Sequence, residues 1–593
     1  MRKSIATVSV SGTLPEKLEA VAAAGFDAVE VFENDLIACP LPPEEIRRRA
    51  ADLGLGIDLY QPLRDFEAVP GDVLRGNLRR AEHTLELMTR LGADTLLVCS
   101  NVSPDALPDD ALAAEQLHLL AERAAGHGIR IAYEALAWGR HVNEYLHAWR
   151  IVRMAGHQGL GVCLDSFHIL SRGSDPIGIE AIPGEKVFFL QLADAPRLAM
   201  DVLQWSRHYR CFPGQGGFDV TGLVRHVLAT GYAGPLSLEV FNDVFRQSDA
   251  RRTALDAMRS LIALEEALLP SGAPPVVPSG FAFAELATGG SAELPALLSA
   301  LGFARTGTHR TKPVELWEQG GARVLLNANP ATEGTATPEE TEPGLVAIGL
   351  ETPDPAASVK RAETLLAPVL PRERAPRDAP LDAIAAPDGT ALFFCRTGHA
   401  DHPDWTADFP RESPVPDGDV TGIDHVALTQ PWQHFDEASL FYRSVLGLRP
   451  QESMEVADPY GLLRSRALAG GGTRLVVNIA RVVGAHQAPR QHVAFAVRDL
   501  RALARRLRAE HPGLLLPIPA NYHDHLEARY ATDPEIRELG LLYDRDERGE
   551  FLHLYTVTAG QVFFELVQRI GGYGGYGAAN AAVRLAVQHA ERS

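Results

Sequence analysis

Short apolar runs alternate with amphipathic stretches along residues 1–267. Runs such as "SIATVSV", "AVEVF" and "TLLVCSN" have strand character, and each precedes a segment whose apolar positions have helical spacing. Glycines such as Gly25, Gly92 and Gly231 stand where these helices should end. The alternation repeats eight times, which predicts an α/β TIM barrel; an open doubly wound sheet is the alternative.

The rest of the chain predicts two smaller units joined by linkers rich in proline. Residues 268–280 form the first linker and 397–417 the second. The units between and after them, 281–396 and 418–593, share a rhythm of one strand, one helix and then several strands, and "LLSALGFAR" echoes "FYRSVLGLRP". This pattern indicates an α+β module that has been duplicated within the chain.

Composition narrows the range of function. The 593 residues carry a net charge of −20, which disfavours nucleic acid as a partner because phosphate binding needs clustered Lys and Arg. No apolar run approaches a membrane span, and the N-terminus has no signal-peptide pattern. The five cysteines are scattered and include no CxxC pair. We therefore expect a reduced, cytoplasmic protein that acts on a small molecule and has no membrane partner.

Four consecutive barrel strands are predicted to end in an oxygen-bearing side chain. Strands 5 to 8 end in Glu134, Asp165, Gln191 and Glu239. In a barrel these ends converge on one mouth, where three carboxylates alone would repel one another. A hard divalent cation would resolve the repulsion. The pattern predicts a metal site, and the alternative for each residue taken singly is a salt bridge or a helix cap.

Other polar residues are predicted at the same mouth. His168 lies three residues beyond Asp165 and is a candidate base or a structural histidine. Candidate substrate-binding residues come from two segments, "YQPLRDFE" and "WSRHYRCFPG": they are Tyr60, Arg64, Ser206, Arg207 and Arg210. An arginine here can hold a substrate carboxylate through two parallel hydrogen bonds, although a surface ion pair is an equally good interpretation of each one.

These motifs, with "GYAGPLSLEVF" and "PGQGGFDV", resemble the sugar-phosphate isomerase/epimerase-like barrels that include xylose isomerase. The resemblance implies a divalent metal held by Glu, Asp, His and Glu. Gln191 stands where His is usual, which favours Mg²⁺, Mn²⁺ or Co²⁺ over Zn²⁺. The narrower set, including "QPLRDFE" and "RHYRCFPGQG", resembles the bacterial 3-dehydroshikimate dehydratases of quinate and shikimate catabolism, one subgroup of which carries a dioxygenase-like C-terminal domain.

That resemblance implies conversion of 3-dehydroshikimate to protocatechuate. A cation that chelates the ring ketone and its neighbouring hydroxyl would acidify the proton to be lost. His168 is the candidate base, Arg64 and Arg210 are candidate clamps for the substrate carboxylate, and Glu134 and Glu239 are expected to be essential for turnover. An aldose–ketose isomerase or epimerase would use the same cup, with Glu134 and Glu239 as its acid and base.

A second metal site is predicted in the last unit. His425 in "GIDHVAL", His492 in "QHVAFAV" and Glu565 in "VFFELVQR" form a facial triad of the kind that suits Fe(II). Together with "FFELVQRIGGYGGYG" and "IPANYHDHL", they resemble 4-hydroxyphenylpyruvate dioxygenase and its vicinal-oxygen-chelate fold. The resemblance implies Fe or Mg at this site, but the family's Gly-Asn-Phe reads "GAANAAV" here, with Ala581 and Ala582 after Asn580.

The function of this last unit is left open by the sequence. A role in binding or structure is preferred, and dioxygenase activity of the 4-hydroxyphenylpyruvate type is the alternative. Residues 281–396 show no matching triad and are expected only to complete the core. A non-catalytic sugar-binding or scaffold protein is the alternative for the whole chain, and a homo-oligomer is expected by analogy with similar barrels.

Overall fold

The computed structural model describes residues 1–269, 274–329, 342–371, 374–399, 402–458, 461–479 and 490–590. Parts of both predicted linkers, residues 270–273 and 400–401, lie outside the described residues, as do the last three residues of the predicted 418–593 unit. The chain divides into two compact units, Met1–Gly272 and Ala273–Ser593. No helix among the described residues is long and apolar enough to cross a membrane.

The first unit is the predicted closed barrel, with its strands in sequence order around the ring and parallel to one another. Its strands are β1 Lys3–Ala6, β2 Ala28–Phe32, β3 Gly56–Leu63, β4 Thr95–Cys99, β5 Arg130–Glu134, β6 Leu160–Asp165, β7 Val187–Leu192 and β8 Leu236–Leu238. Its helices are α1 Leu14–Ala23, α2 Glu33–Ile37, α3 Pro43–Asp52, α4 Gly71–Leu91, α5 Asp110–Gly126, α6 Tyr145–Ala155, α7 Ser166–Ser171, α8 Val202–His208, α9 Val220–Ala229 and α10 Ala250–Leu268.

Strand β7 shows why the sequence folds this way. Every residue from Val187 to Leu192 is buried, as expected for a parallel strand covered on both faces. Helix α4 ends at Gly92, whose φ of 83° suits glycine in the left-handed region. Helix α8 was not predicted: Ser206 and Arg207 of "WSRHYRCFPG" lie on this short helix, which begins at the capping carboxylate of Asp201.

The second unit contains two curled sheets. The first has the order β10-β11-β12-β9-β13-β15-β14. Its elements are β9 Gly280–Ala287, α11 Glu293–Leu301, β10 Ala304–Thr308, β11 Val314–Gln319, β12 Ala322–Asn327, β13 Gly344–Glu351, α12 Pro355–Thr364, β14 Ala383–Ala385 and β15 Ala391–Cys395.

The other sheet has the order β17-β18-β19-β16-β20-β23-β22-β21. Its strands are β16 Val420–Gln430, β17 Arg449–Asp458, β18 Gly461–Gly470, β19 Thr473–Ile479, β20 Gln491–Val497, β21 Leu542–Arg545, β22 Gly549–Tyr555 and β23 Val562–Gly571. Its helices are α13 Phe435–Leu446, α14 Leu500–Glu510, α15 Ala520–Arg529, α16 Pro534–Glu538 and α17 Ala581–Ala590.

Strand pairing confirms the internal duplication. In each sheet the first strand in sequence is central: β9 pairs parallel with β12 and antiparallel with β13, and β16 does the same with β19 and β20. The next pair outward, β13 with β15 or β20 with β23, is parallel in both. The two sheets are therefore copies of one vicinal-oxygen-chelate module, and a position in one has a counterpart in the other.

Candidate active site and second metal centre

The four predicted strand ends converge in one buried cup at the mouth of the barrel. Glu134, Asp165, Gln191 and Glu239 are each at most 5% exposed. Glu134 Oε2 accepts the Cys99 thiol at 3.3 Å, whereas its Oε1 is buried and has no hydrogen-bond partner among the described residues. Burial, reinforced by the charges of Asp165 and Glu239, raises the pKa of Glu134 well above its ordinary value.

The donor set suits a divalent cation. Oxygens of Glu134 and Asp165 and a nitrogen of His168 lie within 4.8 Å of one another. An unpartnered carboxylate oxygen in a buried cluster of like charges is costly, and a cation would satisfy it. Glu134, Asp165 and Glu239 are the side chains that would hold such an ion through oxygen.

Gln191 lies in the cup but presents its amide nitrogen to the neighbouring carboxylates. Its Nε2 donates to Glu30 at 2.6 Å and to Glu239 at 3.3 Å, and its Oε1 accepts the Cys163 thiol at 3.4 Å. Coordination through oxygen requires the amide to turn over, which breaks its hydrogen bond to Glu30.

Glu30 was missed in the sequence. It is fully buried in the middle of β2, and it accepts hydrogen bonds from Gln61, Gln191 and Ser237. Burial, then the charge of Glu239, raises its pKa well above the ordinary range. A signal was present: "AVEVF" places a lone carboxylate in an apolar run, as "LSLEVF" does for Glu239. Glu30 thus fixes the orientation of the Gln191 amide.

Arg210 supplies the positive charge of the cup in this arrangement. Its guanidinium is 1% exposed and donates to Asp165 at 2.7 Å and to Glu239 at 2.9 Å. Ser206 Oγ accepts two further hydrogen bonds from it, so Ser206 contacts the clamp rather than the centre of the cup. Burial would raise the pKa of Asp165, but Arg210 lowers it below its ordinary value.

His168 faces the same cup from the first turn of α7. Its Nε2 lies 3.7 Å from both Glu134 and Asp165, and Asp165 caps the helix by accepting the amides of Phe167 and His168. Burial lowers its pKa to about 3, so the ring is neutral near pH 7. Its Nδ1 accepts the amide of Ala137 at 3.1 Å, and its Nε2 faces the Arg210 guanidinium at 3.2 Å, so a donor stands at each ring nitrogen.

The remaining predicted substrate residues lie further out. Tyr60 is buried on β3, whereas Arg64 and Arg207 are exposed. Burial and Glu134 raise the pKa of the Cys99 thiol, and the positive charge of Arg64 opposes this, which puts Arg64 within electrostatic reach of the cup.

Asp194 organises the glycine-rich turn after β7. Its carboxylate accepts the backbone amides of Ala195, Gly214, Gly216 and Phe218 at 2.8–3.0 Å. Its backbone also pairs with Cys211, directly after Arg210. Asp194 therefore anchors the loop that carries the Arg210 clamp.

The C-terminal triad is also assembled. The Nε2 atoms of His425 and His492 each lie 3.1 Å from Glu565 Oε2. Burial would lower the pKa of His425, but the Glu565 carboxylate raises it to about 9; burial lowers that of His492 to about 4. Two imidazole nitrogens that face one carboxylate fit a 2-His-1-carboxylate site for a divalent ion such as iron.

Surrounding residues orient these ligands. Asp424 accepts from His425 Nδ1 at 2.9 Å and is itself held by Arg569 at 2.8 Å. His553 Nδ1 lies 2.7 Å from Glu565, and Asn580 contacts the other nitrogen of His553 at 2.9 Å. Carboxylate support of a ligating histidine is typical of metal sites. Asp424 and His553 were missed, although the alternation in "FLHLYT" places His553 on an inward position.

Among the described residues, the first sheet has no histidine or carboxylate at the positions that correspond to the triad. In the second sheet His425 pairs with Ala494, which pairs with Glu565, and His492 lies two residues before Ala494. The corresponding row of the first sheet is Phe283, Gly349 and Phe393, with Ala347 two residues before Gly349. The three ligand positions are thus held by Phe283, Ala347 and Phe393. Two of these residues, Phe283 and Phe393, do more than complete the core, because they line a cavity.

Comparison with known protein families divides the chain in the same way. A model of the xylose isomerase-like TIM barrel matches residues 18–263. A model of the N-terminal domain of hydroxyphenylpyruvate dioxygenase matches residues 273–408, and one of the glyoxalase, bleomycin resistance protein and dioxygenase superfamily matches 422–536.

Relatives align with the whole chain. It is 46% identical to a 3-dehydroshikimate dehydratase of Pseudomonas putida, over 100% of this chain and 99% of that protein, and 45% identical to one of Pseudomonas aeruginosa, over 99% and 98%. A solved xylose isomerase-like TIM barrel/4-hydroxyphenylpyruvate dioxygenase fusion protein superposes with a TM-score of 0.91 at 43% identity, covering both chains fully. The chain belongs to the family of bacterial 3-dehydroshikimate dehydratases in which an isomerase-like barrel is fused to a dioxygenase-like domain.

Proposed function

We propose that the barrel of this chain dehydrates 3-dehydroshikimate to protocatechuate with a divalent cation, Mg²⁺, Mn²⁺ or Co²⁺, in its cup. The observation that carries the proposal is the convergence of Glu134, Asp165, Gln191 and Glu239 on one buried cup, in a chain 46% identical over its length to a dehydratase. The unpartnered Glu134 oxygen supports the cation. When bound, the ion supplies the Lewis acidity that makes a proton beside a ketone removable.

His168 is the group that we propose takes the proton. A base must be neutral, and burial keeps this ring neutral. Nε2 is the ring nitrogen that faces the cup, 3.7 Å from Glu134 and Asp165, and it lies 3.2 Å from the Arg210 guanidinium. For Nε2 to take a substrate proton, its lone pair must be released from Arg210.

The substrate carboxylate is proposed to bind Arg210, with Arg64 as the outer cation of the clamp. A planar guanidinium binds a carboxylate through two parallel hydrogen bonds. In the structure Nε and one Nη of Arg210 donate to Ser206 and the other Nη donates to Asp165 and Glu239, so the substrate carboxylate must displace Ser206 to pair with Arg210. Arg207 and Tyr60 are proposed to contact the rest of the substrate.

The assay is direct. Purified full-length protein is mixed with 3-dehydroshikimate, and the absorbance of the aromatic product is followed. We expect protocatechuate to accumulate. An aldose–ketose isomerase would convert a sugar and form no aromatic chromophore. Absence of protocatechuate, together with turnover of an aldose, would therefore contradict the proposal.

For the C-terminal domain we propose a divalent ion, Fe or Mg, in a binding or structural role. The donor set of His425, His492 and Glu565 supports the ion. Beside it, the Asn580 amide is engaged by His553 and by the Tyr543 carbonyl, and Ala581 and Ala582 provide no ring to flank an aromatic substrate.

A further inference from the structure

The first curled sheet encloses a cavity of about 100 Å³. Its floor comes from β9, β12 and β15, and the segments around residues 309–312, 374–381 and 405–409 surround it. A closed cavity of about 150 Å³ holds benzene; this one is smaller but opens to solvent on one side, so a ring can enter it with its substituents toward the rim.

The floor is aromatic because the metal-ligand positions of the module are replaced here. Phe283 and Phe393 occupy two of those positions, and Trp405 packs against Phe283 with 4.8 Å between ring centroids. Phe409 lies edge-on to Trp405 at 6.0 Å. These rings offer flat apolar surfaces to a ring placed between them.

Polar groups collect on one side of the cavity. Atoms of His309, Asp378 and Asp408 lie within 4.8 Å of one another, and the three side chains are 8%, 5% and 10% exposed. Each carboxylate is held by a backbone amide: that of Ala375 for Asp378 and that of Ala379 for Asp408. Their remaining lone pairs can accept hydroxyl groups of a ligand.

The hydrogen bonding of His309 argues for an organic ligand over a metal ion. Its Nδ1 accepts the amide of Thr311 at 3.1 Å, so the neutral ring carries its proton at Nε2. The Nε2 atom is the one that lies toward Asp408, at 4.0 Å. A metal would need a lone pair there, whereas a ligand oxygen would accept the N–H.

Two cations stand at the solvent side. Lys312, whose side chain is 31% exposed, lies 3.7 Å from Asp378, and Arg374 is exposed. Deeper in the cavity, Glu285 accepts from Asn327 at 2.6 Å. The cavity thus has an aromatic floor, hydroxyl acceptors on one wall and cations at its rim.

We propose that this cavity is a binding site for a six-membered ring that bears hydroxyl groups and one carboxylate. The ring packs against Phe283, Phe393 and Trp405. Its hydroxyls bond to Asp408 and His309, and its carboxylate meets Lys312 and Arg374. The substrate and the product of the proposed barrel reaction both belong to this class, but the site depends on the cavity alone.

The test is calorimetric titration of the full-length protein in EDTA, so that no divalent ion contributes. The probes are 3,4-dihydroxybenzoate, shikimate and benzoate, which separate an aromatic from an alicyclic ring and show the effect of the hydroxyls. The variants are Lys312→Met, which removes a rim cation, and Leu325→Phe, which fills the cavity. Lys360→Met, at an exposed lysine on α12, is the matched control.

We expect at least one hydroxylated acid to bind, benzoate to bind more weakly, and Lys312→Met and Leu325→Phe each to raise its Kd at least tenfold while Lys360→Met leaves it unchanged. If only 3,4-dihydroxybenzoate binds, the ligand ring is aromatic; if only shikimate binds, the ligand ring is alicyclic. Absence of binding, or equal affinity in wild type and both cavity variants, overturns the site. Turnover of 3-dehydroshikimate by metal-loaded Lys312→Met should match wild type, because Lys312 lies outside the barrel. The binding measurement needs no turnover, so it would stand even if the barrel proved to catalyse another reaction.

Discussion

At the residue scale, the cup depends on a few buried charges that balance one another. Arg210 donates to both Asp165 and Glu239, whereas one Glu134 oxygen has no hydrogen-bond partner in the described part of the chain. Glu30 accepts a hydrogen bond from the Gln191 amide and so fixes its orientation. A buried charge that loses its partner is expensive, so each of these residues limits what its neighbours can do.

Replacement of His168 by glutamine tests its role as the base. The side-chain amide of glutamine can reach the position of the imidazole Nε2 and keep a hydrogen bond there, but an amide cannot take a proton. We expect His168→Gln to lower kcat at least a thousandfold and to abolish exchange of the substrate's acidic proton with deuterated solvent, measured by NMR.

Asparagine at the same position is the comparison, because its amide matches Nδ1 rather than Nε2. If His168→Gln retains substantial turnover while His168→Asn does not, the imidazole acts only as a hydrogen-bonding group and another group is the base.

At the element scale, the loop after β7 is held by one carboxylate. Asp194 accepts four backbone amides, three of them from the glycine-rich turn. Loss of the charge should destabilise the turn by about 1–3 kcal/mol. We expect Asp194→Asn to speed hydrogen exchange at the amides of Gly214, Gly216 and Phe218 and to raise KM, since Arg210 lies on this loop.

Asp52→Asn, at the exposed end of α3, is the matched control and should change neither quantity. Unaltered exchange at the three amides in Asp194→Asn would show that the turn does not need this carboxylate.

The elements themselves were largely predictable, whereas their contacts were not. Apolar runs ending in a lone polar residue identified β5, β6, β7 and the end of β8, because the strand period and the barrel closure are local signals. The hydrogen bond between Glu30 and Gln191 joins residues 161 positions apart, so no local sequence pattern could predict it. Helix α8 was missed for a different reason: its seven residues are too few for helical periodicity to stand out.

The cavity of the first sheet illustrates the same limit. In the sequence, residues 281–396 contain no segments that match the three ligand motifs of the last unit. The sequence does not show that Phe283 and Phe393 replace the ligands, because that equivalence follows from strand register.

At the scale of the whole molecule, the chain joins two compact units with separate buried metal-type clusters. The barrel cup offers mainly oxygen donors, and the C-terminal cup offers two imidazoles and one carboxylate. The two donor sets differ in kind, so the ions that we propose differ too: Mg²⁺, Mn²⁺ or Co²⁺ for the barrel, and Fe or Mg for the C-terminal cup.

Oxygen uptake tests the second cup. Full-length protein loaded with Fe(II) under nitrogen is mixed with 4-hydroxyphenylpyruvate and then with oxygenated buffer. We expect no consumption above that of His425→Ala, because the flank of the cup lacks an aromatic ring at positions 581 and 582. Sustained uptake that requires His425 would assign dioxygenase activity to this domain.

The most direct test of the central claim is metal reconstitution of the stripped full-length protein with 3-dehydroshikimate. The account predicts no product without metal, restoration by Mg²⁺, Mn²⁺ or Co²⁺, and no restoration in Glu134→Ala or Glu239→Ala, while Glu115→Ala, at an exposed position on α5, behaves as wild type. Full turnover by the stripped protein, or near-normal turnover in both cup variants, would contradict it.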